Sequence, residues 1–252
     1  MKTPNPVDLL FADMDKLSPG DDSLSLYVLR SLPQHHFDVV VDAGCGAGRQ
    51  TTVLASELGA PIQAVDSYQP FLNRLKQRAI EKQLDHMVQM HCMDMKDIPS
   101  VFPTIDLLWA EGAAYNIGFA NALTTWAKPI KPDGFAVVTE LCWLREKIPD
   151  VVKEFFRCGY PDMQSVPQNI AIAEEAGYKI FNTYTLPREA WVKIIMTFWS
   201  PARNPSSITR MLPSGISPSR HSKKSRYLEF QRTVTDTFSL CFKGRIEARP
   251  SA

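Results

Sequence analysis

The chain has 252 residues, of which 44% are hydrophobic and 22% charged, with a net charge of +1. That length buries one large core, and the composition is that of an ordinary globular domain. The near-neutral balance supplies no global field to draw in nucleic acid or an anionic membrane, and no run approaches the roughly 18 apolar residues a membrane span needs. The opening MKTPNPVDLL lacks the regions of a signal peptide, so a cytoplasmic protein is expected. Cysteines at 45, 92, 142, 158 and 241 form no CxxC pair, which fits a reducing compartment. His91 and Cys92 are adjacent, and neighbours on a strand point to opposite faces, so no metal site is expected.

In chain order, residues 11–19 (FADMDKLSP) lead to Gly20 and a helix that Asp22 can cap. Leu24, Tyr27, Val28 and Leu32 give that helix a buried stripe. The stretch at 39–48, VVVDAGCGAG, then reads as a strand, a tight loop and a helix start. Its valines suit a strand buried on both faces of a parallel sheet. Gly44, Gly46 and Gly48 let the loop turn sharply, and let a ligand lie against its amides and the positive end of the next helix.

A dinucleotide loop of the form GxGxxG needs glycine or alanine at position 49, where Arg49 stands. Asp42, at the carboxyl end of the strand, would repel a pyrophosphate and favour a cation; S-adenosylmethionine carries both an ammonium and a sulfonium. Asp66 ends a second strand, IQAVD, where its carboxylate can accept two ribose hydroxyls. Asp94 follows VQMHCM, a third strand, within reach of an adenine amino group. Each acid alone reads better as a helix cap or a solvated loop residue, whereas three in register point to a nucleoside site.

DAGCGAG with Asp66 and Asp94 resembles the class I S-adenosylmethionine-dependent methyltransferases. GCGAGRQT with EGAAYNIGF at 111–119 is similar to a small bacterial subgroup acting on small molecules, and the likeness runs over about residues 11–199. It implies a Rossmann-like three-layer α/β sandwich with a seven-stranded, mostly parallel sheet whose last strand is antiparallel. Residues 1–36 would form an amino-terminal cap and 37–252 the methyltransferase domain. The implied cofactor is S-adenosylmethionine, held by Asp42, Gly44, Cys45, Gly46, Gln50, Asp66, Ser67, Met93, Asp94 and Glu111. Ser18, Pro19 and Gly20 would line its methionine end, with the Gln50 amide on the methionine carboxylate.

Helices are expected over 51–58 and 70–82, and a fourth strand over 105–110 (IDLLWA). Ligands of doubly wound sheets lie beyond the carboxyl ends of the strands, so Glu111, Tyr115 and Asn116 face the methyl group or the substrate. The motifs of base-modifying methyltransferases, Asn/Asp-Pro-Pro-aromatic or Pro-Cys, are absent here, which argues against a nucleic-acid acceptor. A helix over 118–127, a turn over 128–134 and a strand over 135–140 follow. Glu140 and Trp143 then overhang the pocket; an acid beside an aromatic wall suits an amine-bearing or cationic substrate, although the tryptophan can equally pack on a helix.

Helices over 149–157 and 168–176, with a strand over 179–186, come next; Tyr160 and Met163 read as core packing or as a cap. Residues 200–226 have the composition of a loop-rich insertion, and its basic cluster of Arg220, His221, Lys223, Lys224 and Arg226 reads as a solvated face. A helix over 227–236 and a final antiparallel strand over 237–243 complete the chain.

The expected activity is methyl transfer from S-adenosylmethionine to a small-molecule acceptor, with Glu111 and Tyr115 ahead of Glu140 as general bases. Two alternatives stay open. A nicotinamide-dependent oxidoreductase would share the sheet, although the chain lacks a Tyr-x-x-x-Lys pair; a regulatory protein would bind the cofactor without turnover. A homodimer is compatible with the sequence but not indicated by it.

Overall fold

A computed structural model describes residues 14, 16–148, 150–187, 190 and 240–246. Seven strands form one sheet: β1 (Val40–Ala43), β2 (Ile62–Asp66), β3 (Val88–Cys92), β4 (Ile105–Glu111), β5 (Ile130–Glu140), β8 (Tyr178–Thr185) and β9 (Leu240–Ile246). Their order is β3-β2-β1-β4-β5-β9-β8, and β9 alone runs antiparallel to both of its neighbours. Between them, β6 (Cys142–Trp143) pairs with β7 (Gln164–Ser165) in a small separate ribbon.

The sheet has helices on both faces because its central strands are apolar on both sides. Val40, Ile62, Ala64, Leu107, Trp109 and Val137 pack against α1 (Asp22–Arg30), α2 (Arg49–Leu58) and α3 (Gln69–Glu81). The alternate residues Val41, Val65, Leu108, Ala110 and Val138 turn to the other face. There they meet Ile98 of α4 (Ile98–Val101), Phe119, Leu123 and Trp126 of α5 (Phe119–Trp126), and Ala173 of α7 (Val166–Glu175). The Tyr178 hydroxyl, fully within this layer, donates to the Leu123 carbonyl at 3.1 Å. A third, smaller cluster of Ile148, Met163, Leu186 and Ala190 takes in Trp143, together with Phe156 of α6 (Asp150–Gly159).

Several boundaries differ from those expected. The cap of α1 is Asp21, whose Oδ1 accepts from the Leu24 amide at 2.9 Å, and this leaves Asp22 free to pair with Arg49. The buried face of α1 is Ser25, Val28 and Leu29, with Leu32 just beyond. Tyr27 is 58% exposed, its ring set edge-on against Tyr184, because Ser25 is drawn inward by the Glu111 carboxylate. Strand β5 begins at Ile130, not 135: the expected turn is a strand start with a register irregularity, where a Cβ on Gly134 would stand 3.0 Å from the Ile105 carbonyl. β9 continues to Ile246, three residues past the expected end. The insertion over 200–226 with its basic cluster, the helix over 227–236 and the strand residues 237–239 lie outside the described residues.

β1 pairs with β2 on one side and β4 on the other, so the sheet has its crossover there and a crevice opens beyond these strand ends. The loop that enters it is held against α3: Gly48 has φ +76, and a Cβ there would lie 2.0 Å from Leu75 Cδ1. Gly48→Ala is therefore expected to cost about 2–4 kcal/mol, combining a strained φ with overpacking, and a urea titration of both proteins measures it.

Candidate active site

The crevice beyond β1, β2 and β4 is a cleft of about 370 Å³. Its glycine loop is left-handed at Gly44 and Gly46 for reasons internal to the protein: added Cβ atoms would come within 2.4 Å of Ala113 Cβ and 2.8 Å of Leu17 Cδ1. The loop amides also point inward. Those of Gly44 and Cys45 donate to the Val65 carbonyl at 2.8 and 2.9 Å, that of Gly46 to Asp66 Oδ2 at 2.9 Å, and that of Gly48 to the Cys45 carbonyl at 3.0 Å. Four of the loop amides thus already have protein acceptors, while the loop itself, from Gly44 to Gln50, lines the cleft.

What faces the cleft instead is carboxylate. Asp42 is 2% exposed and lines it, with one oxygen accepting the Thr51 hydroxyl at 2.6 Å. Burial pushes its carboxyl up to about 7; the Thr51 bond works against this, and the charges of Glu111 and Asp66 add to it. Asp66 also lines the cleft, its two oxygens accepting from the Tyr68 amide at 2.8 Å and the Gly46 amide at 2.9 Å. Burial raises this carboxyl as well, offset by the two amides. Each Asp66 oxygen keeps a further lone pair, so the group can still receive two hydroxyls.

Gln50, on the first turn of α2, is buried and lines the same cleft, and its Nε2 has no hydrogen-bond partner among the described residues. An orphaned buried donor costs about 1–3 kcal/mol, which a ligand acceptor in the cleft would recover. The acids and the donor fit a ligand with a diol, a cationic group and a carboxylate.

A strap, residues 16–20, closes one side. Lys16 Nζ meets Glu111 Oε2 at 2.8 Å with both side chains below a tenth exposed, while Glu111 Oε1 accepts from Ser25 Oγ at 2.6 Å and Trp109 Nε1 at 3.0 Å. Ser18 lies against Gly112, where a Cβ would approach to 2.5 Å. Upstream, the Arg74 guanidinium donates to the Met14 carbonyl. Arg49 fastens α1 to α2 through both oxygens of Asp22, at 2.7 and 3.1 Å. Glu111 lines the cleft, as expected, but with both oxygens engaged it works as the anchor of the strap.

The cleft also brings together Gly44, Cys45, Gly46, Ser67, Tyr115, Asn116 and Ser18; Pro19 and Gly20 stand outside it. So do Met93 and Asp94. Asp94 caps a 3-10 turn, accepting from the Lys96 amide at 3.0 Å and pairing with its ammonium at 3.0 Å, and these bonds hold its carboxyl below the usual range. Met93 packs on the core, and Met95 lines the cleft in its place. Glu140 is 3% exposed behind Tyr115, and Trp143 is held in the small cluster by a bond from Nε1 to the Met163 carbonyl at 3.1 Å; neither lines the cleft. Sequence reasoning missed Lys16, Leu17, Tyr68, Phe71 and Met95. The aromatic residues directly after Asp66 were the available signal for two of them. Among the described residues no group of three metal-ligating side chains converges.

Residues 40–134 match the family described as Methyltransferase domain. The chain is 31% identical over 116 residues to the malonyl-[acyl-carrier protein] O-methyltransferase of Salmonella typhimurium (strain LT2), a match covering 46% of this chain and 43% of that relative. The chain thus spans less than half the length of that curated relative. A solved S-adenosylmethionine-dependent methyltransferase from Thiobacillus denitrificans, in complex with S-adenosyl-L-homocysteine, superposes with a TM-score of 0.74 at 17% identity, covering 98% of this chain and 100% of that one. The chain has the class I S-adenosylmethionine-dependent methyltransferase fold. A second protein of this methyltransferase fold, the [4+2]-cyclase SpnF, gives 0.73 at 15% identity over 96% of this chain and 95% of its own.

Two expectations follow from the cleft of this methyltransferase fold. Removing Lys16 strands a buried carboxylate, so Lys16→Ala should lose about 3 kcal/mol in a denaturant titration. Asp42 and Glu140 are both raised to about 7. Their folded forms hold protons that the unfolded chain releases near pH 4, so stability should fall as pH rises from about 4 to 7 and level off above. Asp42→Asn should flatten that slope in melting curves taken across the range.

Proposed function

We propose that the chain is an S-adenosylmethionine-dependent methyltransferase acting on a small-molecule acceptor. The observation that carries this reading is the pairing of two raised, cleft-facing carboxylates, Asp42 and Asp66, with the unpartnered Gln50 amide, at a loop four of whose amides are already bonded. A dinucleotide pyrophosphate would meet negative charge here and find these amides taken, which disfavours the nicotinamide alternative. Asp66 would hold the ribose hydroxyls, Gln50 the methionine carboxylate, and Asp42 the positive end. Asp94, bonded to Lys96 outside the cleft, is left as a cap, and Met95 with Tyr68 and Phe71 supplies apolar wall for the base.

When bound, the cofactor supplies a methyl group on a sulfonium leaving group. The chain then mainly has to align the acceptor, and such positioning is worth on the order of 10⁵ to 10⁸ M in effective concentration. The strap, pinned by the Lys16–Glu111 pair, keeps water from the methionine end. Nothing in the sequence matches the motifs used for nucleic-acid bases, which supports a small acceptor. Among the described residues no helix is long and apolar enough to cross a membrane, and a cytoplasmic location fits the cysteine spacing.

A second reading, cofactor binding without methyl transfer, is favoured by the engagement of Glu111 as an anchor. Incubation with methyl-labelled S-adenosylmethionine and the small-molecule fraction of a cell extract separates the two. Methyl transfer predicts label in a small product, reduced about tenfold or more in Gln50→Ala through weaker cofactor binding. Tight cofactor binding with no labelled product would favour the second reading.

A further inference from the structure

Behind the cofactor cleft, at the end of β5, lies an acid that the cleft itself does not use. Glu140 is 3% exposed; its Oε1 accepts from the Leu141 amide at 3.0 Å, and its Oε2 has no hydrogen-bond partner of normal geometry among the described residues. No lysine, arginine or histidine among those residues pairs with it. Burial raises this carboxyl to about 7, while the nearby Tyr160 hydroxyl and the Leu141 amide favour its charged form. A buried carboxylate met by one backbone amide and one phenol hydroxyl is still short of the donors or the cation that would offset its burial.

Two rings connect this acid to the cleft. Tyr115 lines the cleft, and its ring centroid lies 5.9 Å from that of Tyr160, the residue beside Glu140. Tyr115 is 45% exposed overall, yet its hydroxyl is sheltered enough for burial, and after it the Glu140 charge, to raise its pKa. Tyr160 is raised by burial first, then by the Glu140 charge and by its own hydrogen bond to Glu140. A carboxylate beside two phenol rings supplies the charge and the aromatic surface that an ammonium receptor uses.

We propose that Glu140, Tyr115 and Tyr160 form the acceptor subsite, and that the acceptor is an amine. The inference rests on the methyltransferase reading and names its substrate class. A protonated amine docks on Glu140 Oε2 and passes one proton to that oxygen. The freed nitrogen lone pair then forms the N–CH₃ bond as the S–CH₃ bond of the cofactor breaks, leaving the neutral thioether. The product leaves as the N-methylammonium, already charged, and the proton held by Glu140 passes to solvent, so protons and electrons balance without a further reactant.

The test uses the full chain, unmodified and as Glu140→Gln and Tyr160→Phe. Calorimetry with S-adenosylhomocysteine is done first. The loaded proteins are then titrated with butylamine, N-methylbutylamine and 2-phenylethylamine, and with butanol, 2-phenylethanol and phenylacetate. Transfer from methyl-labelled S-adenosylmethionine to each compound is followed in parallel. The inference predicts that amines alone bind and accept label. It also predicts that Glu140→Gln keeps its cofactor affinity within about twofold while amine binding and turnover fall about tenfold or more, the loss of a charge-assisted bond. Tyr160→Phe, which leaves the carboxylate in place, should show a smaller loss. Label on the alcohols or the acid, amine turnover unchanged in Glu140→Gln, or cofactor binding with no amine bound would overturn it. Failure of the unmodified protein to bind S-adenosylhomocysteine would instead remove the methyltransferase reading, and this inference with it.

Discussion

The cleft takes its character from where the glycine loop sends its amides. In a phosphate-binding loop these donors face outward and meet an anion. Here the amides of Gly44 and Cys45 close on the Val65 carbonyl and that of Gly46 on Asp66, so the loop is fastened to β2 and the cleft is left with carboxylates. The glycines themselves are needed by Ala113, Leu17 and Leu75, whose side chains occupy the space a Cβ would take. The same three positions fix the turn and let the strap and α3 close over it.

Three acids at neighbouring strand ends meet burial in three ways. Glu111 takes a lysine, a serine and an indole as donors, so its charge is spent on holding the strap. Asp66 takes two backbone amides and keeps lone pairs to spare. Asp42 has the Thr51 hydroxyl at 2.6 Å and a carboxyl raised to about 7. A cation arriving beside Asp42 would lower that value and be held by the charge it releases. The strap therefore covers a site whose remaining demand is for positive charge, hydroxyl donors and one acceptor for Gln50.

Much of this was legible in the sequence because it is local. The valine run, the glycine spacing and the acids at 42 and 66 sit within single strand-to-loop units, and the structure brings Asp42, Gln50, Asp66, Glu111, Tyr115 and Asn116 to one cleft. What escaped depends on contacts far apart in the chain. Glu111 reads as a free base until Lys16 and Ser25, 95 and 86 residues away, are seen on its two oxygens. Asp94 is the local exception: it caps a turn and pairs with Lys96 two residues on, while Met95 between them turns to the cleft. Tyr27 fits a helical stripe, but a buried serine takes its place because an acid on another element needs a donor.

Calorimetric titration of the purified chain with S-adenosylhomocysteine and, separately, with NADH tests the central claim most directly. A cleft of carboxylates with inward-facing loop amides should bind the sulfur nucleoside and give no heat with the dinucleotide. Tight binding of NADH with none of S-adenosylhomocysteine would contradict the account.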